Sequence, residues 1–128
     1  MDATAFVADE IRSKGGSVDF QHLDVTGTAQ ANAVVADTEK RLGALDVVVA
    51  NAGIAHRVPF GAMTDEKWDH TFDVDLKGIL RIVRPVVPGI VKRGSGAIVA
   101  LSSIMGVAYV TANETLHGRN EEHLAFYF

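Results

Sequence analysis

Apolar residues recur along this chain in two rhythms, a helical one of about 3.6 residues and short unbroken runs of β-branched side chains. Ala3, Phe6, Val7 and Ile11 share one helical face and Gly15-Gly16 closes the run, so the pattern predicts an amphipathic helix over residues 3–14. Residues 18–25 alternate in part between apolar and polar, which predicts a strand leading into Thr26-Gly27-Thr28 and a second helix over residues 29–42. That helix carries Val34, Val35, Thr38 and Leu42 on one face and ends at Gly43. Leu45-Asp46-Val47-Val48-Val49-Ala50 then reads as a strand buried on both faces, the mark of a parallel sheet.

A loop over residues 51–61 precedes Thr64, whose hydroxyl, followed by Asp65 and Glu66, makes a helix start by cap and dipole. Trp68, Phe72, Leu76, Ile79, Leu80 and Val83 share the face of the helix that follows, and Trp68 and Phe72 are expected in the core. Pro85 and Pro88 each remove a backbone donor, so a kink or an end is expected there. Gly94-Ser95-Gly96 forms a turn, and Ala97-Ile98-Val99-Ala100-Leu101 is a second buried parallel strand that ends at Ser102-Ser103. Alternating helices and strands imply an α/β fold built on a mostly parallel sheet flanked by helices. Residues 110–128 lack clear periodicity and are expected to form a divergent tail behind a domain over residues 1–109.

Charge and composition narrow the function. Twelve Lys and Arg against sixteen Asp and Glu give a net charge of −4, which provides no field for nucleic acid or an anionic membrane. The 128 residues contain no cysteine, so there is no disulfide or thiolate zinc site, and the five histidines are scattered without metal-ligand spacing. Residues 1–10 do not read as a signal peptide and no apolar run approaches the length of a membrane span, so a soluble cytoplasmic protein is expected.

In open parallel sheets ligands sit beyond the carboxyl ends of the strands, which directs attention to three places. Asp24-Val25 ends the first expected strand; Asp24 is either a cap of the next helix or an acceptor for a purine amino group or a ribose. Asn51-Ala52-Gly53 ends the second, where glycine permits a positive φ or a close ligand approach and where a plain turn would use the same residues. Ser103 ends the third, as a turn residue or as a hydroxyl that steadies a carbonyl oxygen. His56 and Arg57 follow the second strand and read as a solvated loop.

The succession of Leu45 to Ile54, then Trp68, Val74-Asp75-Leu76-Lys77-Gly78, Gly96-Ala97-Ile98-Val99 and Ser102-Ser103-Ile104-Met105-Gly106, resembles the short-chain dehydrogenase/reductase family. The resemblance implies a partial Rossmann-like fold and hydride transfer between NAD or NADP and a small-molecule alcohol or carbonyl. It implies that Asp24 and Val25 flank the adenine, that Asn51, Ala52 and Gly53 lie beside the cofactor, and that Ser103 is the catalytic serine. Asp75 stands where the family usually carries the asparagine of its proton relay, and an ionised carboxylate accepts hydrogen bonds without donating any.

Two family features are missing from this sequence. No Gly-x-x-x-Gly-x-Gly turn follows a strand, and Leu116-His117-Gly118-Arg119-Asn120 occupies the region of the Tyr-x-x-x-Lys element. Tyr109 has Asn113 at the lysine offset. An unassisted tyrosine, with a pKa of about 10, is ionised only about one part in a thousand at neutral pH. The expectation is therefore a truncated family member, inactive as an isolated chain, with unpaired apolar strand edges that favour self-association. The alternative is a catalytically silent interaction protein that pairs with a full-length relative. A stand-alone α/β signalling domain would need a lysine after a later strand, and none follows Leu101.

Overall fold

The computed structural model describes residues 3–56, 58–103 and 123–124. Helix α1 (Ala3–Ser13) ends as its glycines dictate: Gly15 takes φ 82° and the Gly16 N–H returns to the Ile11 carbonyl at 3.0 Å. Its apolar face is not covered. Ala8 is buried, whereas Phe6, Val7 and Ile11 are exposed.

Residues 18–25 are the first correction to the sequence reading. They run without regular structure, because a strand exists only through ladder bonds to a neighbour and the described strands pair only with one another. Helix α2 (Thr28–Leu42) follows, with Gly27 at its N-cap and Gly43 turning the chain out at φ 92°.

Strands β1 (Val47–Ala50) and β3 (Ala97–Ala100) are parallel, in a register that sets Val47 against Ala97 and Ala50 against Ala100. Between them the chain passes through β2 (Val58–Pro59), a 3₁₀ turn (Phe60–Ala62) and two helices, α3 (Asp65–Phe72) and α4 (Gly78–Arg93). The core is small. Val35 of α2, Val48 of β1 and Val86 of α4 meet at its centre, and Leu45, Ile82 and Ile90 pack around them.

Only one face of β1 is covered. Val48 is buried against Val35 of α2 and Val86 of α4 and Ala50 is buried on the same face, while Val47 and Val49 on the other face are each 58% exposed, and β3 is exposed along its length. The expectation of strands buried on both faces is thus corrected: α2 and α4 both pack on the Val48 side, and a β-branched run does not record how many of its faces are covered.

Thr64 caps α3 as expected, accepting the Lys67 N–H at 3.4 Å. Trp68 and Phe72 stack at 5.0 Å between ring centroids, but Trp68 is 38% exposed and Phe72 half-buried, so this pair forms a rim rather than the core. The helix is interrupted at a wide π-turn over Asp73–Lys77 instead of at its prolines. Pro85 and Pro88 both lie inside α4, which runs on to Gly94 at φ 68°. Each interior proline costs about 3 kcal/mol in isolation. Pro88 is exposed, and the full burial of Val86, at about 1.5–3 kcal/mol, with the partial burial of Ile82 and Ile90 around it, works against the loss.

β4 (His123–Leu124) pairs antiparallel with β2, setting Val58 against Leu124. The expected boundary at residue 109 and the rest of the tail lie outside the described residues.

Candidate active site

Because β1 and β3 are parallel and in register, they release the chain side by side, and the Leu101 N–H bonds to the Ala50 carbonyl at 3.0 Å where they part. The two exits diverge around a cleft of about 310 Å³. Asn51, Ala52 and Gly53 form one wall, Ser102 and Ser103 the other, and Asp75 reaches in from the π-turn. Ile54, Ala55 and Leu101 supply the apolar part of the lining.

Asp75 is 8% exposed, and its Oδ1 accepts the Ile54 N–H at 2.8 Å. A π-turn widens the helix by one residue per turn and commonly marks functional positions; here it sets a carboxylate against the backbone of the loop that leaves β1. Of the two uses expected of Gly53, the positive φ is not adopted, and a Cβ placed on it would meet the Asp75 carboxylate at 3.5 Å, an ordinary contact, so local backbone strain does not require glycine; the close approach of a ligand remains its expected use. His56 is half-buried rather than solvated, with its Nε2 lacking a hydrogen-bond partner among the described residues and its ring 6.1 Å from that of His70. Arg57 lies outside the described residues.

Asp24 and Val25 are not part of this lining. Asp24 Oδ1 accepts both the Thr26 hydroxyl at 2.7 Å and the Thr26 N–H at 2.9 Å, and these bonds hold its carboxyl below the usual aspartate value. The aspartate therefore closes the turn ahead of α2, while the cap position belongs to Gly27. Val25 is held by α4: its carbonyl accepts from Arg81 at 3.2 Å and its side chain rests against Gly78. Arg81 and the Ile54 amide went unnoticed in the sequence. An arginine amid apolar helix positions was the available signal for the first; a backbone amide leaves none.

Among the described residues no group of three or more His, Asp or Glu side chains is arranged to hold a metal, and no helix is long and apolar enough to cross a membrane.

A parallel pair of strands flanked by helices, with a polar cleft at their carboxyl ends, defines a Rossmann-type α/β protein. The chain belongs to the short chain dehydrogenase family, whose profile matches residues 1–115. It is 38% identical over 92 residues to a 3-oxoacyl-acyl-carrier-protein reductase of Thermotoga maritima, an alignment that covers 72% of this chain and 37% of that protein. Among solved structures it resembles a 3-ketoacyl-ACP reductase of Sinorhizobium meliloti with a TM-score of 0.75 at 39% identity, covering 84% of this chain and 42% of that one. A gluconate 5-dehydrogenase of Burkholderia cenocepacia, solved with NADP and tartrate, matches with a TM-score of 0.75 at 31% identity, covering 83% of this chain and 42% of that one. The chain thus spans about two fifths of the length of these relatives.

Proposed function

We propose that the cleft is the nicotinamide and substrate-oxygen end of an NAD(P)-dependent oxidoreductase site that interconverts an alcohol and a carbonyl. The observation that carries this reading is the meeting of Asn51-Ala52-Gly53, Asp75 and Ser103, from three separate stretches of sequence, around one cleft. Its volume of about 310 Å³ lies at the small end of ligand pockets, the size of a site for a nicotinamide and a small carbonyl. The residues fit that half of the cofactor: amide and hydroxyl groups to hydrogen-bond a carboxamide or ribose, and an apolar strip for the ring face.

When bound, the nicotinamide supplies or accepts the hydride. Ser103 donates a hydrogen bond to the substrate oxygen, Asn51 to Gly53 present backbone beside the cofactor, and Asp75 fixes that backbone through the Ile54 N–H. Asp24 and Val25 flank the adenine farther along. The proton that must reach or leave the oxygen has no donor of the family's kind in this sequence, since no Tyr-x-x-x-Lys pair stands there. Binding without turnover is therefore expected of this chain alone, in the cytoplasm.

Titration of the purified chain with NADH and NADPH, followed by nucleotide fluorescence and by melting temperature, tests the reading. Saturable binding is expected, with stabilisation approaching about 2.7 kcal/mol at one hundred times Kd. Asp75→Ala should weaken it by leaving the Ile54 N–H without its acceptor, at about 1–3 kcal/mol, and Asp75→Asn should preserve it. Absence of binding by the wild-type chain would overturn the proposal. A second reading, a silent partner of a full-length relative, is favoured by the uncovered Val47 and Val49 face. It requires that the chain co-purify with such a relative.

A further inference from the structure

Arg81 lies on α4 outside the cleft lining, with its side chain only 16% exposed, and it joins two segments distant in sequence. Nη1 donates to the carbonyl of Val25 at 3.2 Å and to that of Asp73 at 2.9 Å. Nη2 donates to Asp73 Oδ1 at 2.8 Å, and Nε to the Thr28 hydroxyl at 3.3 Å. One guanidinium thus holds the backbone just after Asp24, the first turn of α2 and the start of the π-turn.

Both bridged segments lead directly to a candidate ligand contact. Val25 follows Asp24, whose carboxylate is locked to Thr26, and the valine side chain is seated on Gly78, where a Cβ would come within 2.9 Å of its Cγ2. Asp73 opens the π-turn that carries Asp75 to the Ile54 amide. The same guanidinium also holds the Asp73 carboxyl below its ordinary value, keeping it ionised and paired.

We propose that Arg81 is a positioning residue that couples the Asp24-Val25 turn to the Asp75–Ile54 corner of the cleft, so that a displacement at one end is transmitted to the other. The inference rests on the proposed function for the meaning of the two ends, and on Arg81 geometry alone for the coupling. A planar guanidinium carries five donors in a fixed fork and satisfies the Val25 carbonyl and the Asp73 carboxylate at once; an ammonium is a single point charge on a flexible stem.

Amide hydrogen exchange, read by NMR on the whole chain, tests the coupling. In Arg81→Lys the Thr26 and Ile54 amides, held by Asp24 and Asp75, should exchange on the order of tenfold faster than in the wild type. The Ala97 and Leu101 amides, which bond across the β1–β3 ladder, should keep their rates. Arg81→Met should show the same selectivity more strongly. Unchanged Thr26 and Ile54 rates in Arg81→Lys would overturn the proposal, and so would equal acceleration of all four amides, the result expected if Arg81 merely stabilises the fold. AMP titrated into the wild-type chain examines the underlying reading separately. A shifted Thr26 resonance supports the adenine role of Asp24 and Val25, and no shift removes that role while the exchange rates still decide the coupling.

Discussion

Replacing glycine with alanine inside a helix ordinarily stabilises a protein by about 0.5–1 kcal/mol, and α4 offers two positions where the structure calls for opposite outcomes. At Gly78 a Cβ would stand 2.9 Å from Val25 Cγ2 and 3.1 Å from Val25 Cβ. The second atom is rooted in the backbone, whose carbonyl is tied to Arg81, so relief requires moving the whole Asp24-Val25 turn. Overpacking of this kind costs about 1–3 kcal/mol, leaving a net change between about zero and a loss of about 2.5 kcal/mol after the helical gain. At Gly89 the nearest atoms are Arg93 Nη1 at 3.3 Å and Glu39 Oε1 at 3.6 Å, the ends of flexible side chains that can move aside. Gly89→Ala should therefore gain about 0.5–1 kcal/mol. Urea denaturation followed by circular dichroism measures both, with unchanged slopes showing that the shifts in midpoint reflect stability. A Gly78→Ala midpoint that rises as far as that of Gly89→Ala would refute the close packing of Val25 on α4.

One-sided burial of the sheet makes a second contrast: Val86→Ala, at a position 1% exposed, should cost about 2 kcal/mol or more, whereas Val49→Thr on the open face should stay within about 0.5 kcal/mol. Equal losses in chemical denaturation would mean that the Val49 face is covered after all. Asp24 and Asp73 have carboxyl values lowered by Thr26 and by Arg81 respectively, so the unfolded chain binds their protons more tightly than the folded one. Their contribution is full well above the unfolded aspartate value of about 4 and is lost as pH falls through the lower folded values. Melting temperature should therefore drop as pH decreases below about 4, and Thr26→Val, which removes the hydroxyl bond and keeps the backbone one, should flatten that drop; an unaltered acid profile in the variant would rule out the Thr26 hydroxyl as its source.

Local signals in the sequence were read correctly where the causes were local. Residues 29–42 announced α2 to within one residue, Thr64 capped its helix, and the apolar runs ending at Ala50 and Leu101 became the parallel pair, the second strand stopping one residue short at Ala100. Asn51 to Gly53 and Ser103 were legible as residues beyond strand ends, and parallel pairing brings them together. Asp75 stood out only by resemblance, because nothing in its own neighbourhood marks a π-turn.

What only the tertiary structure decided has a common physical origin, since each case depends on a neighbour far along the chain. Residues 18–25 carry strand-like alternation but have no ladder partner among the described residues, so pattern alone did not make them a strand. Pro85 and Pro88 carry a local penalty that packing of Val86 against Val35 and Val48 offsets, so α4 continues through them. Whether one face of β1 or both would be buried depended on which side α2 and α4 occupied. By itself, the sequence determined which segments can be helix or strand and which residues stand at strand ends, because those follow from propensity and periodicity. The closure of Asp75 on the Ile54 amide and the reach of Arg81 to Val25 were decided by the fold, because hydrogen bonds across 21 and 56 residues arise only once the elements have packed.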